Sequence, residues 1–123
     1  MCAPVPTIRD ISSIAWDGHP VRTAKPMSFP ITVEIGDRDK LGADLFYLSI
    51  CNPAFLGEAA ERSEWDWREQ MLVLATLSLE GARFAIERKI QDSVPFASWP
   101  EFARKMAPYM TWEFAGLPYP SEA

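Results

Sequence analysis

Two stretches with a two-residue hydrophobic period, set on either side of a polar, glycine-bounded connection, constrain this chain more than any other feature. Phe29, Ile31, Val33 and Ile35 alternate with Pro30, Thr32 and Glu34. Successive side chains on a strand point to opposite faces, so the pattern predicts a strand with one buried face. Pro30 has no amide donor, which suits an edge or a strand start. Gly36-Asp37-Arg38-Asp39-Lys40-Leu41-Gly42 then reads as a hairpin loop. A second strand is predicted from Asp44 to Cys51, with Phe46, Leu48 and Ile50 on one face and Leu45 and Tyr47 on the other. Asn52-Pro53 ends it, because proline cannot donate to a ladder.

The remaining segments are arranged around this hairpin. Pro4, Pro6, Pro20, Pro26 and Gly18 make residues 1–28 an irregular segment, with room for one edge strand between Ile8 and Ile14. Glu58 to Arg62 suits a short helix, and Ser63-Glu64-Trp65-Asp66-Trp67-Arg68 reads as an ordered loop. Met71 to Leu79 is apolar almost throughout and predicts a central strand buried on both faces. Ala82, Ala85, Ile86, Lys89 and Ile90 recur at helical spacing. Ser98-Trp99-Pro100-Glu101 is a capping box that opens a second helix, with Trp99, Phe102, Ala103, Met106 and Met110 as its buried stripe. Pro108 ends that helix, leaving Met110 to Phe114 as an extended segment. The predicted class is α+β: a small antiparallel sheet with two main C-terminal helices packed on one face. Residues 1–123 are expected to form a single domain.

Composition decides which function classes remain. At 123 residues, 48% of them hydrophobic and 24% charged, the chain can build a core without disulfides or metal. Cys2 and Cys51 are read as idle thiols rather than a disulfide. Twelve basic against seventeen acidic residues give a net charge of −5, which opposes phosphate backbones and favours basic partners. Neither nucleic acid nor membrane is therefore expected as a partner. With no signal peptide pattern and no long apolar run, the expected compartment is the cytoplasm.

Catalytic equipment is sparse. His19 is the only histidine and lies in a proline-flanked turn, so neither a metal site nor a nucleophile with a histidine base can be assembled. No glycine-rich phosphate loop occurs, and no cofactor is expected. Arg83, Arg88 and Lys89 are interleaved with Glu87 on a helix face that points to water. Carboxylate pairs (Glu58 with Glu61, Glu64 with Asp66) are most simply solvated. The densest stretch is Glu58 to Glu69, with five carboxylates, two arginines and two tryptophans in twelve residues. Either Trp65 and Trp67 pin this stretch to the core while the charges face water, or they anchor an acidic interface.

The ordered set of motifs resembles the bacterial immunity protein 8 family of polymorphic toxin systems. It is carried by Ile31-Thr32-Val33-Glu34-Ile35-Gly36, then Asp44 to Leu56 with its Asn52-Pro53-Ala54-Phe55-Leu56 ending. The apolar stretch Met71 to Leu79, the helix after it, the Trp99-led helix and Trp112-Glu113-Phe114 complete it. The resemblance spans about residues 29–114. It implies a non-enzymatic protein that binds a cognate toxin domain and blocks it. Under that reading the candidate toxin-binding residues are Glu58, Glu61, Glu64, Trp65, Asp66, Trp67 and Glu113. Glu113 has a competing role, as a structural partner of an arginine or a backbone amide. Two other readings stay open: a binding module with another protein partner, and a small enzyme built on a carboxylate pair. The oligomeric state is open as well.

Overall fold

The computed structural model describes residues 3–57 and 65–115. Its centre is the expected hairpin. Strands β2 (Ser28–Asp37) and β3 (Asp44–Cys51) pair antiparallel, with Val33 opposite Phe46 and Ile31 opposite Leu48. Paired residues share a face, so Ile31, Val33, Ile35, Phe46, Leu48 and Ile50 form one continuous apolar surface, and all are buried. Strand β1 (Pro6–Ser12) lies along the outer side of β2, which gives the proline-rich segment an edge strand that starts two residues earlier than Ile8. It pairs only as far as Thr32, so Pro30 sits beyond its end and its missing amide leaves no gap in that ladder. A bulge between Ile8 and Asp10 frees the Arg9 side chain, whose guanidinium donates to the carbonyls of Asp37 and Lys40 (2.6 Å each). Gly36 lies beneath it: a Cβ there would come within 2.5 Å of the Gly42 carbonyl oxygen and 2.8 Å of Arg9 Nε.

Two expectations are corrected in the next stretch. Trp65–Arg68 is not a loop but a strand, β4, paired antiparallel with β5 (Met71–Leu74). The charges flanking Trp65 and Trp67 obscured a genuine two-residue alternation. The long apolar run Met71 to Leu79 is not one strand either. Only Met71–Leu74 pairs, Leu77 makes an isolated bridge to Val21, and Ser78 already caps a helix by accepting from the Gly81 amide (2.9 Å). A continuous apolar run carries no period, so it could not show where the strand gives way to the helix. Strand β5 sits between β3 and β4, runs parallel to β3 and is followed by the helix. The sheet is therefore mostly antiparallel with one parallel pair, in the order β1-β2-β3-β5-β4, and the fold is α+β.

Helix α1 (Leu79–Ser93) buries Ala82, Ala85, Ile86 and Ile90 against the apolar sheet surface. Helix α2 (Trp99–Met106) buries Phe102, Ala103 and Met106, and Phe102 packs on Phe46, Phe96 and Trp99 at ring separations of 5.6, 5.0 and 4.9 Å. Its N-terminus is capped as expected at Ser98, which accepts from the Glu101 amide. The Glu101 carboxylate reaches one residue further back than a standard capping box, to the amide of Ala97 (3.1 Å). After Pro108 the chain turns and adds β6 (Thr111–Trp112) to β3, with Trp112 opposite Phe46.

Asp44 joins these parts. One of its carboxylate oxygens accepts from the indole N–H of Trp99, at the start of α2, and from that of Trp112 on β6, both at 2.8 Å. Hydrogen bonds to a charged acceptor contribute more than neutral ones, and removing the acceptor leaves two partly buried donors unpaired. Asp44→Ala is expected to lower unfolding free energy by about 3 kcal/mol, and Asp44→Asn by less than half of that, in urea denaturation followed by tryptophan fluorescence.

Candidate functional site

The pleat of β4 separates the residues that looked like one acidic, aromatic cluster. Trp65 and Trp67 stand opposite Leu74 and Leu72, which places them on the helix-facing side of the sheet. Trp65 meets Phe84 of α1 edge-on at 5.4 Å, and Trp67 meets Tyr109 at 5.3 Å. Lys89 lies over the other partner, with its Nζ 4.4 Å from the Tyr109 ring centre. Both tryptophans are half-buried against the core. Asp66, between them, projects from the opposite side and is ion-paired with Arg68. That hydrogen bond holds the Asp66 carboxyl below its usual range, so the charge persists throughout neutral and mildly acidic pH. Glu58, Glu61 and Glu64 lie outside the described residues.

Glu113 closes the end of β6. Its amide donates to the Leu45 carbonyl (2.9 Å), and its carboxylate accepts from the Leu45 amide. The expected extended segment Met110 to Phe114 is shorter than the sequence suggested. Only Thr111–Trp112 pairs, after which the chain turns and the amide of Ala115 donates to the Trp112 carbonyl (2.8 Å). The Phe114 ring consequently folds back onto Trp112 at 5.2 Å rather than continuing along a strand.

The side of the sheet away from the helices joins Glu113 to residues that the sequence did not single out as site candidates. Asp10 stands directly opposite Glu34, Glu34 opposite Leu45, and Leu45 is bonded to Glu113. A row with three carboxylates thus crosses the sheet. The adjoining row is Ser12, Thr32, Tyr47 and Thr111, four hydroxyl groups in register. Asp10, Ser12, Tyr47 and Glu113 are exposed, and Thr32, Glu34, Leu45 and Thr111 are half-buried. Towards the other end of this side, Cys51 and Val73 are buried, so Asp66 lies apart from the two rows. The alternation of β2 and β3 contained the signal, because every residue between two core positions belongs here. Which of them face one another across strands depends on a register that spacing alone does not define.

One cleft is lined by groups that make structural contacts. A cleft of about 560 Å³ between the β2–β3 connection and the start of α2 is lined by Asp37, Lys40, Leu41, Asp44 and Trp99, among others. Asp44 there is taken by two indoles, and Asp37 accepts from the amide of Val5 (3.2 Å). His19 is exposed in its turn, 3.7 Å from Asp17. Among the described residues, no three His, Cys, Asp or Glu side chains gather where they could hold a metal ion, and no helix is long and apolar enough to cross a membrane.

The family model described as Immunity protein 8 matches residues 9–116, nearly the whole chain. No curated protein and no solved structure gives a match.

The split of β4 into two sides generates a direct test. Trp67→Ala is expected to cost about 2 kcal/mol of stability, because it removes a ring packed on Tyr109 and the core. Asp66→Asn is expected to leave the unfolding midpoint at pH 7 unchanged, because its ion pair is solvent-exposed. The folded-state pKa of Asp66 is depressed, so whatever the pair contributes is present at neutral pH and is lost as pH falls through that value. Thermal melts of both variants at pH 7 and pH 3 check the contrast.

Proposed function

The chain belongs to the immunity protein 8 family, and from that premise we propose that it is a one-domain, cytoplasmic immunity protein that binds a cognate toxin domain and neutralises it without chemistry of its own. The family match over residues 9–116 is the observation that carries this reading. The mechanism is occlusion: a tightly held protein over the toxin's active site, or over a surface the toxin needs, removes access for substrate. A net charge of −5 supports a basic toxin surface as the target, because long-range attraction raises the rate of productive encounter. The same charge disfavours nucleic acid as the partner.

Acidic side chains are the proposed contacts. Asp66 and Glu113 contribute from the side of the sheet away from the helices, and Glu58, Glu61 and Glu64 from the segment that leads into β4. Trp65 and Trp67 then act chiefly by holding β4 against α1 and the turn after α2, with their exposed edges available to a partner. In the cleft beside Asp44, the carboxylates of Asp37 and Asp44 accept structural hydrogen bonds.

Co-expression with the toxin encoded by the adjacent open reading frame tests the function. This protein is expected to restore growth and to co-elute with the toxin. Normal expression with neither effect would overturn the proposal. In stopped-flow mixing, association is expected to slow as salt rises from about 10 to about 150 mM, because the screening length shrinks from about 30 to about 8 Å. A rate that ignores salt removes the electrostatic part of the mechanism.

A further inference from the structure

The pairing of Asp10 with Glu34 is a local conflict. Residues directly opposite one another on antiparallel strands hold their side chains close, and like charges there repel. Neither carboxylate, nor that of Glu113 in the same row, is ion-paired among the described residues. The cation next in sequence, Arg9, donates to the carbonyls of Asp37 and Lys40 over Gly36, two residues along β2 from Glu34. Residues 116–123 contain no lysine or arginine, and residues 58–64 carry three carboxylates against one arginine.

The surroundings suit a protein partner rather than a free ion. The row beside the carboxylates presents four hydroxyls that donate or accept as a partner requires. Among them Tyr47, 42% exposed, is an aromatic with a polar tip, a residue type enriched at the centres of interfaces. Strands β2 and β3 are hydrogen-bonded on both sides over this area, so the surface is rigid before binding and little ordering is required of it. Both helices pack on the opposite side of the sheet, and on this side Asp10, Ser12 and Tyr47 are exposed.

We propose that this part of the sheet, centred on Asp10, Glu34 and Tyr47, is the docking surface for a lysine- and arginine-rich patch on the toxin domain. The proposal rests on the immunity reading and gives it a location. Binding brings the cations that the Asp10–Glu34 pair lacks, so repulsion in the free protein becomes attraction in the complex.

The test uses the full chain and a catalytically inactivated form of the adjacent toxin. The double variant Asp10→Asn, Glu34→Gln is expected to weaken binding at least tenfold, with slower association and a flatter salt dependence. Its own melting temperature should hold or rise, since the repulsion is gone. A control variant, Glu87→Gln with Asp92→Asn, removes the same net charge from exposed positions on α1 and is expected to bind within about twofold of the wild type. If the sheet variant binds as the wild type does, or if the control loses as much affinity, the surface is wrong even though the immunity reading stands. If the wild type neither protects cells nor binds the toxin, the immunity reading fails and the surface with it.

Discussion

A single carboxylate sets the geometry on which the rest of the molecule depends. Asp44 opens β3 on the side of the sheet that faces the core, where a charge is costly unless its lone pairs are met. Two indole N–H groups meet them, one from the first residue of α2 and one from the last residue of β6. Each tryptophan also packs its rings into the core, so neither can move without giving up both burial and a charge-assisted bond. The hairpin, the second helix and the C-terminal strand are thereby locked at one point. Phe46, two residues along β3, extends that lock by packing on Phe102 and pairing with Trp112.

From that lock the two sides of the sheet acquire different characters. With α2 and β6 fixed, the helices fill one side and the core is closed by Phe96, Phe102, Met106 and Met110. Just beyond β6, Glu113 is bonded to Leu45 and so falls in line with Glu34 and Asp10. The structural role of Glu113 and its place in an acidic row are thus two consequences of one register. A carboxylate can accept from a backbone amide through one oxygen and still present its charge to a partner.

Much of this was legible in the sequence because it depends on local period and local chemistry. The alternation of Phe29 to Ile35 and of Leu45 to Ile50 defined the hairpin and its buried face, and Ser98 announced the cap of α2. What escaped depended on tertiary context. Trp65-Asp66-Trp67-Arg68 alternates like a strand, but surrounding charges made it resemble a loop. Met71 to Leu79 has no period to mark its break, and only Ser78, by capping α1, divides it. The face-to-face placement of Asp10 and Glu34 was not visible at all. It follows from the bulge at Arg9, which shifts β1 by one residue relative to β2. Without the bulge, every residue beyond it would change sides.

That bulge bears on why the acidic row exists. A shift of one residue is enough to bury a carboxylate or expose an isoleucine, so β1 is tightly held to its register by Ile8 and Ile11 on the core side. Once those two positions are satisfied, Asp10 has no freedom to avoid Glu34. Selection for stability alone could replace either residue with threonine or lysine at little cost, since both lie on the side away from the core. Arg9 makes its hydrogen bonds to the β2–β3 connection, where Gly36 leaves the space for its guanidinium, and forms no ion pair with either carboxylate. A local rule broken without an ion pair among the described residues is expected where function sets the residue, which is the premise of the proposed cationic partner.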